Sequence, residues 1–232
     1  MIKNILLDFA ETIAELKPTR EDILEDFLVQ KKIKISKQKI YQVYKYIDIS
    51  LPYSSVKINN IVDKNNFYLK YNYQLFTMLG LVHFSEDINK EFLIFFLGIK
   101  KHWTVRTDLF ELLKELKKDG YSLSLISNFD TRLKDILHNL KLDNFFDFVH
   151  ISQEVGLEKP DINFYKSFFE TSGYCISDSI YTGDSYLLDY LPAKDIGLNV
   201  YLLDENDLYT HIDNRIVSIL DIKNIIYGES ND

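Results

Sequence analysis

Residues 4–13 read NILLDFAETI, an apolar run that stops abruptly on an acid, Asp8. A short apolar run bounded by polar residues suits a strand buried on both faces of a parallel sheet. One such strand cannot make a sheet, so it needs partners from elsewhere in the chain. The runs able to pair with it lie beyond residue 120. They are YSLSLISN ending at Asn128, FDFVHIS ending near Ser152, SIYTGD ending at Asp184, and NVYLLD at 199–204. Helical patterns separate them. TDLFELLKELKKDG repeats Leu109, Leu112, Leu113 and Leu116 at helical spacing, with Thr107 placed to cap it, Lys117 and Lys118 in the last turn and Gly120 to stop it. DTRLKDILHNLKL does the same through Leu133, Ile136, Leu137 and Leu140. Strands alternating with helices predict an α/β fold, a doubly wound parallel sheet with helices on both faces.

Residues 15–104 read differently. REDILEDFLVQKK, KQKIYQVYKYI, FYLKYNYQLFTML and EDINKEFLIFFLGI are helix-like, with no clear strand among them. They are expected to form a helical insertion after the first strand, leaving residues 1–14 plus 105–232 as the sheet domain. HWTVRT, around His102, is expected to return the chain to the sheet as a surface or hinge segment. The aromatics of the insertion (Tyr41, Tyr44, Tyr68, Tyr71, Tyr73, Phe76) are expected to fall mostly in core or on ordinary surface, with a substrate pocket as the alternative.

The chain has 232 residues, 46% of them hydrophobic, which is enough to bury a substantial core. A net charge of -8 disfavours nucleic acid or an anionic membrane as partner. Asp8 and Glu11 interrupt the first apolar run, so it does not read as a secretory signal. FLIFFLGI at 92–99, the longest internal apolar stretch, is far short of the ~20 residues that span a bilayer. A cytoplasmic protein, monomer or homodimer, is expected. The lone Cys175 excludes an intrachain disulfide and is expected to be buried. The five histidines show no metal-ligand spacing, and the tail YGESND is expected to be disordered.

In an open parallel sheet, ligands bind beyond the carboxyl ends of the strands. Four segments put chemically capable groups there: Asp8, then Ser127 and Asn128, then Lys159, then Asp184 and Asp189. Each alone has an ordinary use as a turn or helix cap. Together they suit phosphoryl transfer. Asp8 can attack phosphorus and form an aspartyl-phosphate. The Ser127 hydroxyl, the Asn128 backbone N–H and the Lys159 ammonium can neutralise the phosphoryl oxygens. Asp8, Asp184 and Asp189 make a hard oxygen-rich set suited to Mg²⁺.

These segments resemble the motifs of the haloacid dehalogenase-like (HAD) superfamily, in the branch with a helical cap inserted after the first motif. LLDFAETI resembles the first motif, LSLISNFDTRL the second, GLEKPDINFY the third and IYTGDSYLLDYLPAKDIG the fourth. The resemblance runs from residue 1 to about 204. It implies Asp8 as nucleophile, with Ser127 and Lys159 on the phosphoryl group. Mg²⁺ would be held by Asp8, the backbone carbonyl of Ala10 and Asp184, with Asp189 supporting from behind. It also implies a cap at 15–104 that sets specificity.

Phosphatases of the family usually carry a second acid two residues after the nucleophile, and this chain has Ala10 there. Such a group is typically worth 10² to 10⁴ in rate, roughly 3 to 5 kcal/mol of barrier. Glu11 and Asp130 are the acids nearby in sequence. The expected function is a Mg²⁺-dependent phosphatase of a small phosphorylated metabolite, such as a sugar, sugar-derived or amino-alcohol phosphate. One alternative is a HAD-like binding or regulatory protein with impaired turnover. The other is a 2-haloacid dehalogenase, which needs no Mg²⁺.

Overall fold

The computed structural model describes residues 2–51, 60–106 and 108–228. The chain divides into two compact units, one made of Met1–Leu16 and Trp103–Asp232 and the other of Lys17–His102.

The first unit is built on a six-stranded sheet of order β5-β4-β1-β6-β7-β8. Its strands are β1 (Asn4–Leu7), β4 (Ser122–Ser127), β5 (Phe148–Ile151), β6 (Ser179–Gly183), β7 (Asn199–Leu203) and β8 (Arg215–Ile216). All the pairings are parallel, and β1 lies at the centre, with Leu6 opposite Ser124 on one side and Tyr181 on the other. Alternation along β1 divides the core into two layers. Ile5 and Leu7 pack with Leu109, Leu112, Leu113 and Leu116 of α5 (Leu109–Lys118) and with Leu133 and Leu137 of α6 (Leu133–Asn139). Leu6 points the other way, onto Phe164, Tyr165 and Phe168 of α8 (Ile162–Ser172) and Ala193 of α9 (Leu191–Asp195). This is the doubly wound α/β sheet expected from the apolar runs. The short α7 (Ser152–Val155) and α10 (Ile222–Tyr227) complete the layers.

Among its described residues the second unit holds four helices, α1 (Arg20–Gln30), α2 (Lys37–Ser50), α3 (Ile61–Met78) and α4 (Glu86–Gly98). They share one apolar core that includes Ile23, Phe27, Ile40, Ile47, Leu75 and Phe92. Thr19 starts α1 with a reciprocal capping box: its hydroxyl accepts from the Asp22 N–H, and Asp22 accepts from the Thr19 N–H. Two strands absent from the sequence reading, β2 (Ala14–Lys17) and β3 (His102–Val105), pair with each other where the chain passes between the units.

Several local expectations need correction. The residue preceding α5 is Asp108, in the left-handed conformation with no side-chain cap bond, and Thr107 lies outside the described residues. Gly120 does follow that helix with φ 87°. Cys175 is exposed, because it sits in the turn that links α8 to β6 rather than on a core face. Tyr227 is not part of a disordered tail. It closes α10 and donates to Asp119 Oδ2, while 229–232 lie outside the described residues. No helix among the described residues is long and apolar enough to cross a membrane.

Candidate active site

Asp8 is the first residue past β1, and its N–H still donates to the Thr182 carbonyl at 2.9 Å. The sheet therefore fixes the backbone from which the carboxylate projects. The residue is only 7% exposed. Lys159 reaches it from the loop before α8, with Nζ donating to Asp8 Oδ1 at 2.6 Å. The same ammonium donates to Asp189 Oδ1 at 2.7 Å and to the Tyr181 hydroxyl at 2.7 Å, so its three protons have three oxygens. Tyr181 then donates to Asp189 Oδ1 at 2.5 Å.

Asp189 is brought in by a π-helical turn, Tyr186–Tyr190, that follows β6. The Ser185 N–H donates to its Oδ2, and Tyr165 braces the turn by donating to the Leu188 carbonyl. Gly183 is required here. A Cβ built on it would lie 2.4 Å from the Asp189 Cγ, closer than any real contact. Asp184 follows directly, and carboxylate oxygens of Asp8, Asp184 and Asp189 lie within 4.8 Å of one another.

Ser127, at the end of β4, is buried, and its hydroxyl has no hydrogen-bond partner among the described residues. Asn128 has a use the sequence did not suggest. Its side chain accepts from the Lys159 N–H at 2.8 Å and donates to the Lys159 carbonyl at 2.9 Å. That two-point clamp holds the lysine peptide against the β4 end. Ala10 forms a bridge with Ala14 that uses the Phe9 carbonyl and the Glu11 N–H, so the Ala10 carbonyl takes no part in it.

Glu11 is exposed and holds φ 59°, and Asp130 is gripped by the Arg132 guanidinium at 2.6 Å. Besides Lys159, the nucleophile meets Thr12, fully buried, whose hydroxyl donates to Asp8 Oδ2 at 3.4 Å. Sequence reasoning missed Thr12 and Tyr181. The four-residue spacing from Asp8 was the only available signal for the first. Tyr181 lies inside an apolar strand and gave none.

The electrostatics follow from burial. Three carboxylates surround one ammonium. Burial pushes the Asp8 carboxyl up to about 7; Lys159 opposes the shift, and Asp189 and Asp184 add to it. Burial alone would lower Lys159, but Asp189 and Asp8 outweigh it and hold the ammonium charged. The cluster thus has a net negative charge that a divalent cation would neutralise. The donors are hard oxygens, so the residues fit Mg²⁺.

A model of the haloacid dehalogenase-like hydrolases matches residues 5–203. The mouse haloacid dehalogenase-like hydrolase domain-containing protein 3 is 37% identical over 103 residues, 44% of this chain and 40% of that protein. A glyceraldehyde 3-phosphate phosphatase from Methanothermobacter thermautotrophicus is 34% identical over 93 residues, 40% of this chain and 41% of that protein. The chain therefore matches under half the length of these curated relatives. Among solved structures, a magnesium-bound HAD-hydrolase from Bacillus subtilis superposes with a TM-score of 0.62 at 16% identity, covering 97% of this chain and 98% of that one. That likeness concerns the fold. With residues 5–203 of the 232 inside the family match, the chain belongs to the haloacid dehalogenase-like hydrolases.

Proposed function

We propose that this hydrolase is a Mg²⁺-dependent phosphatase of a small phosphorylated metabolite, acting through an aspartyl-phosphate on Asp8. The observation that carries the reading is the buried cluster in which Lys159 joins Asp8 to Asp189, with the Asp184 carboxylate alongside. Phosphatase-named archaeal relatives support the same chemistry.

Asp8 Oδ1 or Oδ2 attacks phosphorus, the bond to the substrate oxygen breaks, and water later opens the acyl phosphate. Lys159 offsets the repulsion between the carboxylate and the incoming dianion. Ser127, whose hydroxyl has no partner among the described residues, would donate to a phosphoryl oxygen. Asn128 keeps Lys159 in position, and Tyr181 holds Lys159 and Asp189 together. Mg²⁺, held by Asp8, Asp184 and the Ala10 carbonyl, would supply positive charge to the transferring phosphoryl group. Residue 10 supplies no proton to the leaving oxygen, so a substrate with a good leaving group or its own acidic group fits best.

Ala10 also favours a second reading, a protein that binds its ligand with turnover lost. Phosphate release from a panel of phosphomonoesters, glyceraldehyde 3-phosphate included, separates the two. Wild-type turnover that vanishes in Asp8→Asn is the expected result. Silence in the wild type with activity appearing in Ala10→Asp would establish the second reading.

A further inference from the structure

In the helical unit, α1–α4 line a half-open cavity of about 290 Å³, whose walls among the described residues all come from that unit. Its walls are largely aromatic, with Phe67, Tyr71, Phe92 and Phe96 among them. At one side the Arg20 guanidinium lies over the Tyr44 ring, 4.5 Å from its centroid. That cation is already matched: Asp48 takes it at two points, 3.1 and 2.7 Å, and Glu21 takes Nε at 3.1 Å. The wall therefore offers no unbalanced positive charge to an anion.

Asn72 of α3 breaks the pattern. It lines the cavity, is 6% exposed, and its side chain makes no hydrogen bond among the described residues. Its amide is open to the cavity, and no described protein group takes its donor or its acceptor. Had packing been the only requirement, a leucine would have filled the position. The Asn72 amide presents an acceptor and a donor side by side, the complement of a lactam edge.

We propose that this cavity is a binding site for an uncharged, flat, two-ring heteroaromatic lactam, gripped edge-on by Asn72 and sandwiched by the aromatic walls. Size sets the ring count: a cavity of about 150 Å³ holds one benzene ring, and this one is about twice that. Ring faces on the walls suit offset or edge-to-face contact with a planar ligand. The balanced Arg20–Asp48 pair selects against charge.

The test is a titration of the ¹⁵N-labelled full chain, followed by amide shifts, with 2-quinolinone, N-methyl-2-quinolinone and quinoline as probes. The parent lactam is expected to saturate amides of α2–α4 and to bind about tenfold or more tighter than the other two, which lack the donor–acceptor edge. Asn72→Leu should remove that preference, and Leu93→Trp, which fills the cavity, should abolish binding of all three. The comparison among the probes needs no variant, so a misfolded mutant leaves the proposal testable. Equal affinities for the three probes would overturn it. So would saturable shifts confined to amides around Asp8, no saturation at all, or inorganic phosphate shifting the α2–α4 amides in their place.

Discussion

At the level of single residues, the site depends on side chains and backbone atoms that have no slack. Gly183 is the clearest case, since any Cβ there would overlap the Asp189 carboxylate. Gly183→Ala is expected to displace Asp189, costing about 1–3 kcal/mol of stability and weakening Mg²⁺ binding roughly 10- to 100-fold. Calorimetric Mg²⁺ titration beside a urea melt checks both, and an unchanged affinity would show that Asp189 does not support the metal site. Tyr181→Phe removes one hydroxyl that accepts from Lys159 and donates to Asp189. Its expected cost is about 1–3 kcal/mol, read from the denaturation midpoint, because both charged partners lose a buried hydrogen bond. Asp8, Lys159, Asp184 and Asp189 were legible because each follows a run that reads as a strand or opens a helix. Tyr181 was not, because a tyrosine inside an apolar strand looks the same whether its hydroxyl meets a lysine or water. Asn128 stood out for its backbone N–H, but its side-chain clamp was not legible, since its partner is a peptide 31 residues away.

Among the elements, the long apolar runs were readable and the short strands were not. β1, β4, β6 and β7 are buried along most of their length, and the Ile, Leu, Val and Tyr side chains this requires make them visible as runs. β2 and β3 have four residues each, AELK and HWTV, and are only partly buried. Each is stabilised by a partner some ninety positions away, and no local pattern announces that. The π turn at Tyr186–Tyr190 is similar: the motif indicated that Asp189 belongs to the site, but not that a widened turn delivers it. Helix α1 supplies a prediction of its own. Thr19→Ala removes the hydroxyl half of the capping box, leaving the Asp22 carboxylate on the residue 19 N–H, and should lower the stability of the helical unit by about 1 kcal/mol. Backbone hydrogen exchange in α1 would report it, and protection equal to wild type would mean that packing alone holds the helix start. In the sheet, Leu6→Ala opens a hole beneath α8 and should cost about 2–5 kcal/mol in a chemical melt.

For the molecule as a whole, the buried acids link stability to pH. Asp8 in the folded protein is pushed up to about 7, above its ordinary value of 3.8. Between those two values the folded state holds a proton that the unfolded chain has released. The contribution of this group to stability is therefore full below pH 3.8 and is lost as pH rises towards 7. Asp8→Asn stays neutral throughout. In EDTA, wild type is expected to lose stability relative to Asp8→Asn between pH 4.5 and 7.5, and Mg²⁺ should narrow that gap. A difference between the two proteins that stays constant with pH would show that Asp8 is already ionised when folded. The sequence by itself determined the sheet, its helical partners and the order of polar groups at the strand ends, because strand burial and helix periodicity are local and leave a pattern in composition. Only the tertiary structure decided that Thr12 meets the nucleophile, that Tyr181 ties Lys159 to Asp189, that Asn128 clamps the Lys159 peptide, and that Asn72 turns its amide to an aromatic cavity. Those outcomes depend on which distant side chains meet across packed layers, and contact over long separations leaves no periodic trace along the chain.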